Sequence, residues 1–332
     1  MSDYIFLNES LANEQIFGIN TYAGSLYFAT RNQSGTEFFK IDTTGIIHSL
    51  GKPLGVDNID AYGLVEFKSH LYIGTYNQSG AEIWTMNHGL EFKQIAKLGI
   101  QNQNNIDIWS MIVFQNSLYA GTWNPVDGGE LYKTEDGVSF RKIMGLNDPN
   151  KDYIRSMAVF QNKLFISIGK RDDQLSLISI DADETVSYIE TPLAPPLNDI
   201  YNIVAFDDAL YLTTGAHKKA NHPGCEIWKY KDNKYTQVAS AGFGNINNKY
   251  ILSFEKHNDL LLFGTYNIID GCEIYAMDLN DQFYKVIEKG INNDPQNEST
   301  AKGLKSFNQK LFVGTRNETT GLQLFEMDVH AI

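Results

Sequence analysis

The sequence predicts an all-β protein, a seven-bladed β-propeller built from four-stranded antiparallel blades. One phrase recurs along the chain, as in LYFATRNQSGTEF, LYIGTYNQSGAEIW and LYAGTWNPVDGGELY. Its seven copies begin at Leu26, Leu71, Leu118, Leu164, Leu210, Leu261 and Leu311. The spacings of 45, 47, 46, 46, 51 and 50 residues are typical of propeller blades when the repeat is rich in β-forming residues. No segment has a sustained helical period, so we expect no substantial helix.

Each repeat contains four short β runs. In residues 108–143 they read IWSMIVFQ, NSLYAGTWN, GGELYKTED and GVSFRKI, separated by Gly, Asn and Asp. The first two runs predict a hairpin with a two-residue turn, because the turn positions carry residues that tolerate a left-handed backbone. Those turns are Ala23-Gly24, Lys68-Ser69, Gln115-Asn116, Gln161-Asn162, Asp207-Asp208, Asn258-Asp259 and Asn308-Gln309.

That hairpin register places a pair of mostly small residues at one point of every blade. The predicted pairs are Gly18–Ala29, Gly63–Gly74, Ser110–Gly121, Ser156–Ser167, Asn202–Thr213, Ser253–Gly264 and Gly303–Gly314. Directly opposed residues share a sheet face, so each pair forms a notch. We expect a large side chain of the adjacent blade to fill it.

The two ends of the chain are predicted to complete one blade. The last repeat stops after GLQLFEMDV, a third strand, and the chain begins with DYIFLNES, which resembles a fourth strand. Residues 3–8 should therefore pair with the last blade and close the ring. Residues 1–332 would then form a single propeller domain.

Composition limits the classes of partner. The net charge is -13 and the pI about 5.0, so nucleic acid and anionic membrane surfaces are not expected partners. MSDYIFLNES has no basic stretch followed by an apolar one, which predicts a soluble cytoplasmic protein, or one exported without a Sec-type signal peptide. Two cysteines do not make a disulfide framework. We expect a monomer without cofactor or metal.

Two hairpins between third and fourth strands resemble the Asp-box of sialidase-like propellers. TMNHGLEF at 85–92 has Asn87, and KTEDGVSF at 133–140 has Glu135, where the box S-x-D-x-G-x-T-W has Asp. The chain also resembles bacterial propellers with LYxGT…GxEIW blades. The Asp-box resemblance implies a structural turn on the side away from a catalytic face.

Large side chains precede the notch residues and are expected to ring one mouth of the channel. They include Tyr62, Trp109, Arg155 and Tyr201, in a series completed by Phe17, Leu252 and Lys302. Aromatic rings with cations suit a polar, ring-shaped ligand such as a sugar. The alternative is that these residues pack between the inner strands.

Three carboxylates, Asp60, Asp107 and Asp199, lie two positions before members of that series. Gathered around one axis, they could bind a cation or act as an acid and base pair. They could equally accept backbone hydrogen bonds at the head of each strand. The asparagines of the T-x-N motifs, by contrast, are predicted to form Asx turns. These are Asn32, Asn77, Asn124, Asn267 and Asn317.

The loop LTTGAHKKANHPGCE of blade 5 breaks the repeat beside the same mouth, so His217 and His222 are candidate ligand contacts. A metal site formed by His217, His222 and Cys225 is not favoured, because Cys225 matches Cys272 of the next blade and indicates a small structural residue.

Two functions follow from these observations. The first is a non-catalytic propeller that binds a protein or glycan through its loop-rich channel mouth, and no catalytic residue is assigned in that case. The second is a carbohydrate-active enzyme, a sialidase-like hydrolase or lyase, that uses the clustered aspartates with Arg155.

Overall fold

The fold is known from a computed structural model, which describes residues 3–5, 12–169, 176–193, 199–215, 223–300 and 302–328. Seven four-stranded antiparallel blades follow one another around a central channel, which confirms the predicted propeller. Helical structure in these ranges is limited to two short 3-10 turns, Ala241–Gly244 and Ile291–Asn293. No helix in the described part of the chain is both long and apolar enough to cross a membrane.

The strands of blades 1 to 6 occur in the same order in every blade. The first strands, which line the channel, are Ile16–Tyr22, Asp60–Phe67, Asp107–Phe114, Tyr153–Phe160, Asp199–Phe206 and Tyr250–His257. The second strands are Ser25–Thr30, His70–Tyr76, Ser117–Trp123, Lys163–Gly169, Ala209–Gly215 and Leu260–Tyr266. The third strands are Phe38–Ile41, Ile83–Met86, Glu130–Thr134, Ser176–Ile180, Ile227–Lys231 and Ile274–Met277. The fourth strands are Ile47–Gly51, Phe92–Ala96, Arg141–Gly145, Val186–Ile189, Lys234–Ala239 and Phe283–Ile287.

Blade 7 combines both ends of the chain. It contains Asn297–Ser299 and Leu304–Phe307 in its first position, then Lys310–Asn317 and Gln323–Asp328. The N-terminal strand Asp3–Ile5 pairs antiparallel with Gln323–Asp328, with Tyr4 opposite Phe325. The predicted closure of the ring is therefore confirmed for these three residues.

The predicted hairpin register is also confirmed. Six of the small-residue pairs, from Gly18–Ala29 to Ser253–Gly264, face each other in the ladders. In the seventh, the amide of Gly314 donates to the carbonyl of Gly303 at 2.7 Å. The turns have the expected backbone, for example φ of 48° at Ala23 and 73° at Gly24.

Side chains of the next blade fill the notches, as expected. A Cβ added at Gly74 would lie 2.6 Å from Ile108 Cβ, and one at Gly121 would lie 2.3 Å from Ile154 Cγ2. The buried apolar side chains of the described residues accordingly form seven clusters, one between each pair of neighbouring blades, including one between blades 7 and 1. The apolar core therefore lies between the blades, and the channel is lined by the first strands.

The T-x-N asparagines have the predicted structural role. Each side-chain oxygen accepts a hydrogen bond from an amide two residues later, as Asn32 does from Ser34 at 2.9 Å. The backbone amide of Asn32 also donates to Ile59 O of the next blade, and Asn77 repeats this with Ile106 O. The motif therefore caps its own loop and fastens neighbouring blades together.

The turns between the third and fourth strands of blades 2, 3 and 4 are capped by acidic or amide side chains. Asn87 accepts the amides of Gly89 and Glu91, and Asp181 those of Asp183 and Thr185. In blade 3 the capping residue is Asp136, which accepts the amides of Val138 and Ser139. Glu135, placed at that position by the Asp-box comparison, instead pairs with Lys133.

Candidate functional site

A β-bulge in the first strand of blades 1 to 6 supplies most of the channel ring. In blade 2 the pairing passes from Ala61 to Gly63, so Tyr62 is the unpaired extra residue. The same shift occurs in the other five blades, and the extra residues are Phe17, Trp109, Arg155, Tyr201 and Leu252. A bulge re-aims a side chain and increases the local twist. These six residues all line cavities of the channel.

Two adjoining cavities occupy this region. The inner one, of about 270 Å³, runs along the channel and includes Tyr62 and Arg155 in its wall. The second, of about 170 Å³, which we call the mouth cavity, has Tyr201 in its wall. Both cavities share Phe17, Trp109, Asn202, Leu252 and Lys302. The rest of the mouth cavity is lined by Gln15, Tyr266, Ser299 and Arg316.

The aromatic side chains form two stacked arcs. In the inner arc, Tyr62 stacks on both Phe17 and Trp109, with ring centroids 4.4 Å apart in each pair. In the outer arc, Trp123 stacks on Tyr76 at 5.9 Å and on Tyr153 at 5.1 Å. Trp109 joins the arcs through an edge contact with Tyr153 at 4.9 Å. The mouth is thus a continuous aromatic surface across blades 1 to 4.

Sequence reasoning missed the outer arc. Its members Tyr76 and Trp123, and the cavity residues Tyr266 and Arg316, each occupy the middle position of a T-x-N motif at the end of a second strand. The motif was recognised only for its asparagine. Successive side chains of a strand point to opposite faces, so a residue that precedes an asparagine at the blade junction faces the channel mouth. This alternation is the sequence signal from which the outer arc could have been predicted.

Arg155 lies in the channel rather than between blades. Its guanidinium carbon is 4.8 Å from the Tyr153 ring centroid and 4.4 Å from that of Tyr201, so two aromatic faces hold it. Blade 4 makes room for it at Gly169, where an added Cβ would be 2.9 Å from Arg155 Nε. Asp107 and Asp199, on the flanking blades, are the carboxylates that the sequence offers as partners, but the carboxylate of Asp107 accepts no hydrogen bond from the described residues.

Lys302 contributes the second cation of the ring. Its ammonium nitrogen is 5.2 Å from the Tyr62 centroid and 5.4 Å from the Trp109 centroid, and it donates to Trp109 O at 3.3 Å. Burial lowers the pKa of this amine to about 8, while the carboxyl groups of Asp107 and Asp60 act in the opposite direction. The pKa of Lys302 is therefore well below that of an ordinary lysine.

Asp60 and Asp107 do not reach the channel. Both are fully buried, and neither lines the two cavities. Residues two apart share a face only in a regular strand, and the bulges at Tyr62 and Trp109 break that alternation. The expectation that these carboxylates crowd around the channel axis is wrong for this reason.

The two aspartates differ in their partners. Asp60 accepts hydrogen bonds from Ala61 N at 3.0 Å and from Arg31 Nη1 at 3.3 Å. Burial nevertheless raises the pKa of Asp60 to about 8. The pKa of Asp107 is raised as well, first by burial and then by the nearby charge of Asp60. Asp60 thus caps its strand, the structural alternative considered above, whereas Asp107 is a buried acid without a described partner.

The other candidate residues contribute less to the site. His217 and His222 lie outside the described residues, as do the remaining residues of 216–222. Asp199 begins the first strand of blade 5, and its side chain also falls outside that description. Cys225 and Cys272 are buried, and their amides make equivalent hydrogen bonds to the next blade. Among the described residues, no group of His, Cys, Asp and Glu has an arrangement that could hold a metal ion.

Comparison with known proteins supports the fold. No family model matches the chain, and no curated protein matches its sequence. Among solved structures, a streptogramin B lyase aligns over 98% of this chain and 97% of its own, with a TM-score of 0.66 and 10% identity. A catalytically inactive variant of virginiamycin B lyase from Staphylococcus aureus, with quinupristin, gives the same TM-score and identity over 98% and 99%. An ancestral GH74 enzyme aligns over 96% of this chain and 48% of its own, with a TM-score of 0.63 and 10% identity.

Proposed function

We propose that the protein is a non-catalytic binding propeller that holds a small anionic glycan in the mouth cavity. The observation that carries this proposal is the lining of that cavity. It combines the aromatic residues Trp109, Tyr201 and Tyr266 with the cations Lys302 and Arg316. Aromatic surfaces and a few directed polar groups are the usual elements of a site for a ring-shaped polar ligand.

The charge of the lining favours an anion. The chain as a whole has a net charge of -13, yet two cationic side chains line the mouth cavity, and no Asp or Glu is among its described lining residues. Arg316 donates from Nη2 to Glu318 Oε1 at 2.6 Å, and its Nε lies 3.9 Å from Glu298 Oε2. A guanidinium has five N–H donors, so the remaining ones can still bind a carboxylate. An acidic sugar would supply both the ring and the charge.

Neutral hydrogen-bonding groups complete the cavity. Gln15, Asn202 and Ser299 line it, and they offer both donors and acceptors to sugar hydroxyl groups. Asn202 is already engaged, since its Nδ2 donates to Ile251 O at 2.8 Å. Its carbonyl oxygen therefore faces a fixed direction, which favours a ligand that donates a hydrogen bond there.

A carbohydrate-active enzyme is the second candidate. The solved structures that resemble the fold include two lyases and a GH74 enzyme, at an identity that supports the fold alone. Its proposed acids, Asp60 and Asp107, are fully buried behind the ring, which argues against proton transfer to a ligand in the mouth cavity. Product analysis after incubation with acidic oligosaccharides tests this candidate, and turnover lost in Asp107→Asn would favour it.

Tryptophan fluorescence tests the binding proposal. Glucuronate, N-acetylneuraminate and glucose would be titrated into the full chain, whose four tryptophans include Trp109 in the cavity wall. We expect saturable changes with the two acids, lost in Trp109→Phe and retained in Trp228→Phe. The Arg316→Met variant should weaken glucuronate binding about ten- to a hundredfold, because a charge-assisted hydrogen bond contributes roughly 1.5–3 kcal/mol.

Two control measurements make the result decisive. Arg141→Met removes an arginine of the fourth strand of blade 3, which pairs with Glu184. This variant should leave the affinity for glucuronate unchanged. Arg155→Met removes the cation held by Tyr153 and Tyr201, so its melting temperature must be measured beside its affinity. A loss of affinity at constant melting temperature supports a ligand contact. Equal affinity for glucose and glucuronate, or no saturable response to either acid, would contradict the proposal.

A further inference from the structure

Lys302 has surroundings unlike those of the other lysine in the channel wall. Its amine lies above the rings of Tyr62 and Trp109, and no ion pair joins it to a carboxylate in the part of the chain that the structure describes. Lys305 also lines the inner cavity, but its amine pairs with Glu255 Oε2 at 3.2 Å. Lys302 is also one of the few residues shared by both cavities.

These surroundings favour the free-base form of the amine. Removal from water and the nearby charge of Arg155 disfavour the ammonium ion, and the aromatic faces together with the carboxyl groups of Asp107 and Asp60 compensate only part of that loss. The resulting pKa of about 8 for Lys302 leaves roughly a tenth of the amine unprotonated at pH 7. An ordinary lysine, with a pKa near 10.4, has well under a thousandth in that form.

We propose that Lys302 is a nucleophilic amine that forms an imine with a small aldehyde or α-keto acid bound at the channel mouth. The proposal rests on the proposed function in one respect, since the acid group of such a ligand would use the same cationic lining. Desolvated lysines are the ones that proteins use for imine chemistry. The aromatic walls around Lys302 would limit the access of water and so slow hydrolysis of the product.

The step balances without another reactant. The unprotonated amine attacks the carbonyl carbon, the C–N bond forms, and the carbonyl oxygen becomes the hydroxyl group of a carbinolamine. That hydroxyl leaves as water when the imine forms. In sum, a protonated lysine and a carbonyl compound give a protonated imine and one water, so no net proton is taken up or released.

Arg316 is placed to orient a keto acid. It lines the mouth cavity together with Lys302, so an α-keto acid can offer its carboxylate to the guanidinium and its carbonyl carbon to the amine. The expected substrate class is a short α-oxo acid or aldehyde acid.

Reductive trapping tests the inference on the full chain. The protein would be incubated at pH 7 with glyoxylate and sodium cyanoborohydride, and the modified lysines located by peptide mass spectrometry. We expect Lys302 to be modified about tenfold faster than Lys305. The rate difference is smaller than the difference in the unprotonated fraction of the amine, because the intrinsic nucleophilicity of an amine falls as its pKa falls. Lys302→Arg should remove the fast adduct and Lys305→Arg should keep it. Modification of Lys302 no faster than of Lys305 in the unaltered protein would overturn the inference, whether or not the variants fold.

A second probe separates this inference from the proposed function. Formaldehyde with the same reductant reports the reactivity of the amine without an anionic group. Fast modification by formaldehyde but not by glyoxylate would contradict the keto-acid orientation by Arg316. Slow modification by both, together with saturable glucuronate binding in the fluorescence titration, would reject the imine and leave the binding function supported.

Discussion

The buried carboxyl group of Asp60 should make the protein less stable as the pH rises. Asp60 is fully buried, and its pKa is raised to about 8 from an ordinary value of 3.8. The folded state therefore holds a proton that the unfolded chain releases above pH 4. Because the folded state binds more protons, the free energy of unfolding falls with rising pH from about 4 to about 8 and is constant above that.

The size of this loss of stability follows from the difference between the folded and unfolded pKa of Asp60. Each unit of pKa difference corresponds to about 1.36 kcal/mol, so between pH 5 and pH 7 Asp60 alone removes at most about 2.7 kcal/mol of stability. The ion pair with Arg31 is already included in that pKa. In Asp60→Asn the titrating group is gone, and this part of the pH slope should disappear. The amide of the variant keeps one acceptor oxygen in place of two, so it can accept from Ala61 N or from Arg31 Nη1 but has lost the second acceptor, and the absolute stability should fall at every pH while the slope flattens.

Urea denaturation of both proteins at pH 5 and pH 7 measures the slope. Asp42→Asn is the matched control, because Asp42 is a turn cap whose pKa is lowered, first by the hydrogen bond from the Thr44 side chain. Asp42 is ionised in both states from pH 5 to 7, so this variant should keep the slope of the parent. If Asp60→Asn also keeps that slope, Asp60 ionises alike in folded and unfolded protein, and the desolvation argument fails.

Two further outcomes follow from the blade geometry. Gly74→Ala should lower the free energy of unfolding in denaturant by roughly 1–3 kcal/mol, because its Cβ would lie 2.6 Å from Ile108 Cβ. Gly63→Ala should lower it less, because its Cβ would meet the flexible Met111 Cε at 3.0 Å. Equal losses in the two variants would contradict rigid packing of the notch. Deleting residues 1–8 removes the strand Asp3–Ile5 from blade 7 and should lower the melting temperature, whereas an unchanged melting temperature would mean that the closing strand adds nothing to the ring.

The hairpin registers could be predicted from the sequence because their determinants are local. The two-residue turns fix which residues face each other, and seven copies of one pattern support the same alignment. Ring closure could also be predicted from the sequence, because the last repeat lacks a fourth strand and the N-terminus of the chain has one strand more than the first repeat needs. These inferences needed only chain order and turn chemistry.

The positions of the aspartates could not be predicted in the same way. A bulge adds one residue to one strand, and nothing in the runs around Tyr62 or Trp109 marks the extra residue, because both lie in continuous β-forming sequence. A bulge increases the local twist of its strand, and a run of β-forming residues does not specify where along the strand that twist is needed. Without the bulge, Asp60 would share a face with Tyr62. With it, the carboxylate is buried behind the ring, and the predicted acidic cluster in the channel is lost.

The variable positions of this chain are better evidence of function than its repeated ones. The notch pairs and the asparagines of T-x-N hold adjacent blades together, so their side chains cannot change freely from blade to blade. The bulge residue and the middle residue of T-x-N take no part in these contacts between blades, so their side chains can differ from blade to blade. They are Tyr62 and Tyr76 in blade 2 and Trp109 and Trp123 in blade 3, and in blade 4, which lacks the motif, Arg155 and Gly169 occupy the matching positions. Both kinds of position lie at the same end of the channel. A binding site there can therefore vary in size and charge while every blade junction stays intact, which is how a repeat scaffold acquires an asymmetric ligand site.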